Sequence, residues 1–418
     1  MNQPQLEINL QRLKNDIESL SLIGRSADLG IYRTAFSGND MLARDWLKER
    51  ITDAGLHYEL DGAANIHAVF NADVNKPSVM TGSHIDTVPG AGHLDGALGV
   101  ICGLECLRVL KEQNLMTDFP VELVAFSDEE GTFSGMFGSQ ALTGEISPEW
   151  IHNACSSEGL SLVDAMARHG LDAMQALSAA RPASSLKAYV ELHIEQGPVL
   201  DSQSVSIGVV EGICGLQRWQ IKLIGHPNHA GTTPMAMRQD ALQGMVEFSS
   251  QINRVLEEHG SNQSVATIGK VEVLPGAPNV IPGEVNFTLE FRELNETKLN
   301  ELADAFLLSL STITHRRQLN FDYQVVSNIA PVSCDSALME LIAETSQQLS
   351  LSSLKLPSGA AHDAQKLARI TRAAMIFVPS KAGRSHSAAE WTSWNDIHAG
   401  ANVLLNTLYK IACEKTDG

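Results

Sequence analysis

The sequence predicts an α/β protein in which a mixed sheet carries the main domain and a smaller α/β sandwich is inserted into it. Helix-like and strand-like stretches alternate through roughly the first two hundred residues, the pattern of an α/β domain. At 418 residues the chain is longer than a typical single domain. We predict that residues 1–211 and 329–418 build the main domain and that residues 212–328 form the insert.

The composition narrows the function classes. A hydrophobic content of 44% and an aromatic content of 5% are ordinary for a globular protein, and a net charge of -19 argues against nucleic acid or an anionic membrane as a partner. The six cysteines contain no CxxC pair, so we expect reduced thiols. The amino terminus does not resemble a secretory signal and no apolar run is long enough to span a bilayer, so we expect a cytoplasmic protein.

The first candidate site follows a strand-like stretch, residues 78–81, in the segment TGSHIDTVPG. Residues two apart on an extended chain point the same way, so His84 and Asp86 can share a face. We interpret His84 as a metal ligand and Asp86 as the carboxylate that accepts its second imidazole N–H. The alternative is a turn-capping Asp86 beside a core histidine.

Two acidic segments come next. Asp95 stands before the apolar run 98–110, which reads as a buried helix, and its alternative role is to cap that helix. The segment FSDEEG (126–131) follows a probable strand, and its adjacent glutamates diverge. We assign Glu130 to metal binding and Glu129 to proton transfer with a water molecule. A solvated acidic turn is the alternative for this segment.

Two further histidines complete the set. In ELHIEQGP (191–198) the alternation of a strand puts Glu191, His193 and Glu195 on one face, as expected of a ligand with acidic neighbours. His386 lies in GRSHSAAEW (383–391), before a helix-like stretch. Taken singly, each histidine is more often structural. Together, histidines and several carboxylates can build two metal sites joined by one shared carboxylate.

The insert contributes candidates of another kind. Residues 285–292 alternate apolar and polar side chains, so Arg292 lies on the polar face of a strand, where it can grip a carboxylate or pair with Glu290. Asn279 sits in a loop bracketed by prolines, and His229 is a candidate oxyanion donor. Thr233 and the proline after it predict a helix start. An insert joined by two crossings can hinge, so we expect a lid.

Together, the segments GSHIDTV, LDG, DEEG, ELHIEQGP, GHPNHAGTTPM and SHSAAEW resemble the metal-dependent amidase and carbamoylase family, over nearly the whole chain. This family includes N-carbamoyl-L-amino acid hydrolases and allantoate amidohydrolases and is related to dinuclear aminopeptidases and carboxypeptidases. The resemblance implies a homodimer and two divalent ions per subunit, with zinc as first choice and manganese, cobalt or nickel as alternatives. The segment DEEGTFSGMFGS departs from the family in lacking the Arg-Phe that commonly follows its DEEG-type motif.

The resemblance also implies roles for individual residues. His84 and His193 would serve one metal, Glu130 and His386 the other, and Asp95 would bridge them. Glu129 matches the family's general acid/base and Asp86 its histidine-orienting residue. The substrate-site positions it marks are Gln196, Gln217, His229, Asn279, Arg292 and Gly359.

The expected function is hydrolysis of a linear amide or ureido bond in a small-molecule substrate. An N-carbamoyl-L-amino acid is the favoured substrate, and allantoate or another ureido acid is the close alternative. A dinuclear metallopeptidase ranks lower, and a dimeric metal-binding protein without turnover ranks last, because all proposed ligands and Glu129 are present.

Overall fold

The computed structural model describes residues 5–414, which pack as two compact units. One unit holds the residues up to Glu211 together with those from Cys334, and the other is Gly212–Ser333. In the second unit, the strand Asn320–Ile329 pairs with the strand Gly215–Ile224 as far as Ile329. None of the helices within residues 5–414 is both long and apolar enough to cross a membrane.

The elements alternate along the chain. The strands are β1 His57–Leu60, β2 Ile66–Phe70, β3 Ser78–His84, β4 Val121–Phe126, β5 Leu186–Ile194, β6 Ile207–Ile213, β7 Gly215–Ile224, β8 Val265–Leu274, β9 Glu284–Glu293, β10 Asn320–Ile329, β11 Val332–Ser333, β12 Ser353–Ser358 and β13 Ala373–Val378. The helices are α1 Leu10–Ser21, α2 Gly38–Asp53, α3 Ala97–Glu112, α4 Phe137–Leu142, α5 Pro148–Asn153, α6 Leu162–Ala167, α7 Val199–Gln203, α8 Ala241–His259, α9 Glu296–Arg317, α10 Ser336–Gln348, α11 Ala364–Leu367 and α12 Trp394–Ala412.

A nine-stranded sheet runs in the order β1-β2-β4-β3-β5-β13-β6-β11, with β12 paired to β6. Strand β3 is parallel to both β4 and β5, and β13 is parallel to β5. The outer pairs β1/β2, β2/β4, β6/β13 and β6/β11 are antiparallel. The predicted mixed sheet is therefore confirmed.

The centre of this sheet is buried on both faces. Every residue of β3, β4 and β13 is buried, which explains why the sequence of β13 is continuously apolar and that of β4 almost so. Helix α3 is buried from Ala97 to Leu110 and packs on β3 and on α12, as its largely apolar sequence predicts. Because β3, β4 and β5 are parallel, their carboxyl ends meet at one edge of the sheet.

The second unit is a four-stranded antiparallel sheet in the order β10-β7-β9-β8, covered by α8 and α9. Strand β9 alternates strictly between buried and half-buried positions, and its buried side chains join Phe248 and Phe306 in a separate core. One sheet covered by two helices is the α/β arrangement predicted for the insert. A 3-10 turn, Met235–Met237, begins directly after Pro234, so the predicted helix start at Thr233 gives only this one turn. The α-helix α8 begins at Ala241, where the Asp240 side chain accepts the N–H groups of Leu242 and Gln243.

Candidate metal centre

Three side chains converge at the carboxyl edge of the parallel strands. His84 is the last residue of β3, His193 lies near the end of β5, and Asp95 precedes α3. His193 Nε2 is 3.2 Å and His84 Nε2 is 3.9 Å from the same oxygen, Asp95 Oδ1. All three residues are buried, and one ligand atom of each lies within 4.8 Å of the others.

A second group shares Asp95. His386 Nε2 is 3.2 Å from Asp95 Oδ2 and 3.5 Å from Glu130 Oε1. Asp95 therefore turns one carboxylate oxygen to each group, which is the arrangement that a bridging ligand requires. His386 is the open side of the site, since its side chain is 49% exposed whereas that of Asp95 is 3% exposed.

The structure allows a test of whether these residues fit metal ions. Within the described part of the chain, Glu130 Oε1 is buried without a hydrogen-bond partner, a costly state for a carboxylate oxygen that a cation would relieve. Imidazole nitrogens and carboxylate oxygens are ligands that suit borderline divalent ions. The residues of both groups therefore fit divalent cations.

A third group of buried residues with possible ligand atoms consists of Glu191, His193 and His362. One ligand atom of each residue lies within 4.8 Å of the others. Glu191 accepts hydrogen bonds from Ser83 Oγ at 2.8 Å and from the Ala364 N–H at 3.0 Å. His362 Nε2 lies 2.9 Å from Ser358 Oγ. Because both oxygens of Glu191 accept hydrogen bonds from the protein, whereas Glu130 Oε1 of the second group accepts none, we interpret the third group as a hydrogen-bonded network behind the site.

Glu129 stands beside the first group, with its Oε2 3.5 Å from His84 Nε2. Burial, followed by the charges of Asp363 and Glu130, raises its pKa well above the usual range of a glutamate. Burial and the charge of Asp95 likewise raise the pKa of Glu130 to about 7. The site therefore holds more negative charge than its own basic side chains offset.

The carboxylate of Asp86 binds the backbone of Glu129 and Glu130 rather than the imidazole of His84. It accepts the N–H groups of Glu129 at 3.4 Å and Glu130 at 3.2 Å. His84 Nδ1 lies 3.0 Å from the backbone carbonyl of Asp86 and 3.8 Å from the carboxylate. The prediction that the Asp86 carboxylate orients His84 is therefore wrong, because β3 ends at His84 and the chain turns the side chain of Asp86 toward the turn after β4.

The alternative role of Asp95 as a helix cap is also absent. Gly96 is the N-cap of α3, at φ 63°, and no side chain caps this helix end within the described residues. The Asp95 carboxylate instead accepts hydrogen bonds at Oδ2 from Gln196 Nε2 at 2.8 Å and from Ser385 Oγ at 2.6 Å. Glu195, expected to face the site, accepts the N–H groups of Val199 and Leu200 at the start of α7.

Glu390 is a polar residue of the site that the sequence interpretation missed. Its side chain is almost fully buried and accepts the N–H groups of Leu94 at 2.8 Å and Asp95 at 3.1 Å. Burial and the charge of Asp95 raise its pKa to about 7. The only signal in the sequence was its place in the segment SHSAAEW, four residues after His386.

The predicted substrate residues divide between the two units. Gln196 and Gly359 belong to the first unit, Gly359 directly after β12. In the second unit, His229 and Asn279 lie on neighbouring segments, since the N–H of Ala230 donates to the Asn279 carbonyl at 2.9 Å. Gln217 on β7 follows Leu216, which pairs with Arg292 on β9. Arg292 donates to Glu290 Oε1 at 2.7 and 3.0 Å, so the pairing that was the alternative for this arginine is present.

A parallel-stranded core with candidate metal-binding groups at its carboxyl edge defines a class of hydrolases, and comparison with known proteins identifies the family. The family model for Peptidase family M20/M25/M40 matches residues 80–410. A solved amidase of the hydantoinase/carbamoylase family from Burkholderia multivorans is 32% identical, with a TM-score of 0.92, over 99% of this chain and 100% of that one.

The chain is also similar to characterised relatives over almost their full length. The chain is 36% identical to an N-carbamoyl-L-amino acid amidohydrolase of Geobacillus stearothermophilus, over 96% of this chain and 98% of the relative. It is 34% identical to the allantoate amidohydrolase of Escherichia coli, over 97% of this chain and 98% of the relative. The chain belongs to the M20/M25/M40 peptidase family and, within it, to the hydantoinase/carbamoylase amidases. It is thus an amidohydrolase that acts on carbon–nitrogen bonds.

Proposed function

We propose that this amidohydrolase hydrolyses N-carbamoyl-L-amino acids to the amino acid, carbon dioxide and ammonia. The observation that carries the proposal is the geometry of Asp95, whose two oxygens face two separate groups of ligand side chains while Glu129 lies beside one of them. The N-carbamoyl-L-amino acid amidohydrolases among the relatives support this substrate class.

Two divalent cations are the proposed cofactors. His84, His193 and Asp95 would hold one, and Asp95, Glu130 and His386 the other. Bound there, the cations would supply Lewis acidity that polarises a carbonyl group and acidifies water. Zinc is the first choice for these cations. Manganese, cobalt and nickel are the alternatives, because the same ligand types suit all four ions.

Glu129 moves the proton in the proposed reaction. Its carboxylate takes a proton from the attacking water and later delivers it to the leaving nitrogen of the ureido group. Its burial suits this task, because a desolvated carboxyl group holds a proton more readily than an exposed one. Asp86 supports Glu129 as a positioning residue, since its carboxylate fixes the backbone N–H groups of Glu129 and Glu130.

The second unit is proposed to recognise the substrate. Arg292 would exchange its hydrogen bonds to Glu290 for two hydrogen bonds to the substrate carboxylate, and Asn279 would present its amide to the same group. His229 would donate to the oxyanion that forms at the carbonyl. Gln196, Gln217 and Gly359 are the remaining proposed contacts. We further propose that this unit acts as a lid in a cytoplasmic homodimer.

Allantoate is the second candidate substrate. It carries the same combination of a ureido group and a carboxylate, and allantoate amidohydrolases of Escherichia coli and Bacillus subtilis are each 34% identical to this chain. The recognition of a carboxylate by Arg292 applies equally to both substrates. The preference between them therefore depends on the pocket for the rest of the molecule.

The test is a screen that measures ammonia release from ureido substrates and free amino acids from dipeptides, because hydrolysis of a dipeptide releases no ammonia. Purified protein is depleted of metal, reloaded with zinc, manganese, cobalt or nickel, and offered N-carbamoyl amino acids, allantoate and dipeptides. We expect turnover of N-carbamoyl-L-amino acids by the wild type and a kcat about 10²- to 10⁴-fold lower in the Glu129→Gln variant. Preferential turnover of allantoate would move the assignment to the second candidate, and cleavage of dipeptides alone would refute both.

A further inference from the structure

Glu390 joins two segments that lie far apart in the chain and that each carry a metal-ligand candidate. Its Oε1 accepts the N–H groups of Leu94 and Asp95, and its Oε2 lies 3.2 Å from Ser385 Oγ, next to His386. Both contacts are made by one buried carboxylate that is 3% exposed. One side chain thus fixes the backbone at the shared carboxylate and the loop of the most exposed ligand.

The space around Glu390 is tightly filled. A Cβ added at Gly92 would lie 2.3 Å from both Cβ and Oε1 of Glu390, so this turn can approach the side chain only through a glycine. The two backbone N–H groups that Glu390 accepts are buried, so they need a hydrogen-bond acceptor at this place. The turn that presents Asp95 is therefore held by a residue of another segment, in addition to the strands that supply the histidines.

The loop of His386 needs such support. His386 has a φ of 53°, in the left-handed region that a side chain other than glycine adopts only when its surroundings impose it. Ser385 Oγ lies within hydrogen-bond distance of both Asp95 Oδ2 and Glu390 Oε2. Because a hydroxyl group has one proton, it donates to only one of these carboxylates at a time. The loop can therefore stay attached through Glu390 when Asp95 is engaged elsewhere.

We infer that Glu390 is a positioning residue that sets the affinity of the metal ion proposed to lie between Asp95, Glu130 and His386. This inference rests on the proposed metal centre. The affinity of the other ion, proposed to lie between His84, His193 and Asp95, depends less on Glu390. Two of its ligands, His84 and His193, belong to the buried strands β3 and β5. Residues that fix ligands from behind typically change metal affinity by about 10- to 100-fold when they are removed.

The experiment is a titration of the metal-depleted protein with Co²⁺, followed by calorimetry and by the metal content after dialysis. The Glu390→Ala variant should bind one ion nearly as the wild type does and the other about 10- to 100-fold more weakly. The Glu390→Gln variant should stay within a few-fold of the wild type, because its amide oxygen still accepts the two N–H groups. Rescue by glutamine assigns the effect to these hydrogen bonds rather than to charge.

Glu293 provides a matched control. It is 1% exposed and accepts an N–H from Asn295 and a hydroxyl group from Ser261, but it belongs to the second unit. The Glu293→Ala variant should lose thermal stability without a change in either Co²⁺ affinity. In the metal-free protein, hydrogen exchange at the Leu94 and Asp95 amides should accelerate in Glu390→Ala and stay unchanged in Glu293→Ala.

The outcomes separate the inference from the proposed function. If the wild type takes up fewer than two ions, the proposed metal centre is wrong. If the wild type takes up two ions and Glu390→Ala binds both with unchanged affinity, the role of Glu390 is refuted while the metal centre stands. Equal weakening in Glu390→Ala and Glu293→Ala also refutes it, since the loss would then reflect general destabilisation.

Discussion

Gly96 offers the sharpest test of the metal centre, because a single methyl group added there collides with a proposed ligand. A Cβ at this position would lie 2.3 Å from Cε1 and 2.4 Å from Nε2 of His84. Carbon atoms in contact are separated by about 3.5–4.0 Å, so the imidazole or the turn must move by roughly 1 Å. Metal–ligand distances tolerate about 0.2 Å. Gly96→Ala should therefore weaken metal binding by at least about tenfold and lower turnover in parallel.

Backbone strain must be separated from this collision. Gly96 has a φ of 63° and a ψ of -50°, a sparsely populated backbone region that costs an alanine about 1–3 kcal/mol whatever the space around it. Gly170 has a similar φ of 73°, and a Cβ there would meet nothing within 4 Å. The Gly170→Ala variant should therefore lose stability alone. Metal content by mass spectrometry, Co²⁺ affinity and the thermal midpoint of the metal-free proteins are measured for both. A Gly96→Ala variant that binds both ions as tightly as the wild type would refute the placement of His84 as a ligand.

Three further predictions concern the proton carrier, the substrate carboxylate and the buried histidine of β2. Glu129→Gln should keep both metal ions and lower kcat by about 10²- to 10⁴-fold; an active, fully metallated variant would exclude Glu129 as the acid/base. Arg292→Ala should raise KM for N-carbamoyl amino acids by about 10- to 100-fold, because it removes charged hydrogen bonds worth roughly 1.5–3 kcal/mol. As a control, Arg218→Ala removes another hydrogen-bond partner of Glu290 and should leave KM unchanged. Burial opposes protonation of His67, but its hydrogen bonds to Asp61 and Glu122 outweigh burial and raise its pKa from 6.5 to about 9. Its contribution to the free energy of unfolding should be complete below pH 6.5 and disappear as pH rises through about 9, so the thermal midpoints of wild type and His67→Gln should converge in that window; a constant difference across it would contradict the shifted pKa.

The sequence was sufficient to predict which strands and helices carry the site. Strand β5 is marked by its alternation and helix α3 by an apolar run, and a parallel sheet brings the carboxyl ends of its strands to one edge. His84, His193 and the glutamates after β4 can therefore be assigned to one place from the residue pattern alone. The alternation along β9 likewise predicts which face carries Arg292, and its contact with Glu290 was an alternative already open.

Other features depend on where the backbone turns, which the residue pattern does not specify. The extended strand that would align the Asp86 side chain with His84 ends at His84, so the carboxylate reaches the N–H groups of Glu129 and Glu130 instead. The start of α8 is decided by the Asp240 cap rather than by Thr233. Glu390 was missed because its partners, Leu94 and Asp95, are nearly 300 residues away in the chain, a pairing that only the folded backbone creates.

The most direct test of the metal centre is anomalous X-ray diffraction from crystals of the protein loaded with zinc or cobalt. We predict two anomalous peaks that share Asp95 as a ligand, one also contacting His84 and His193 and the other Glu130 and His386. Peaks at other residues, or crystals of active enzyme with no peak beside Asp95, would contradict the proposed site.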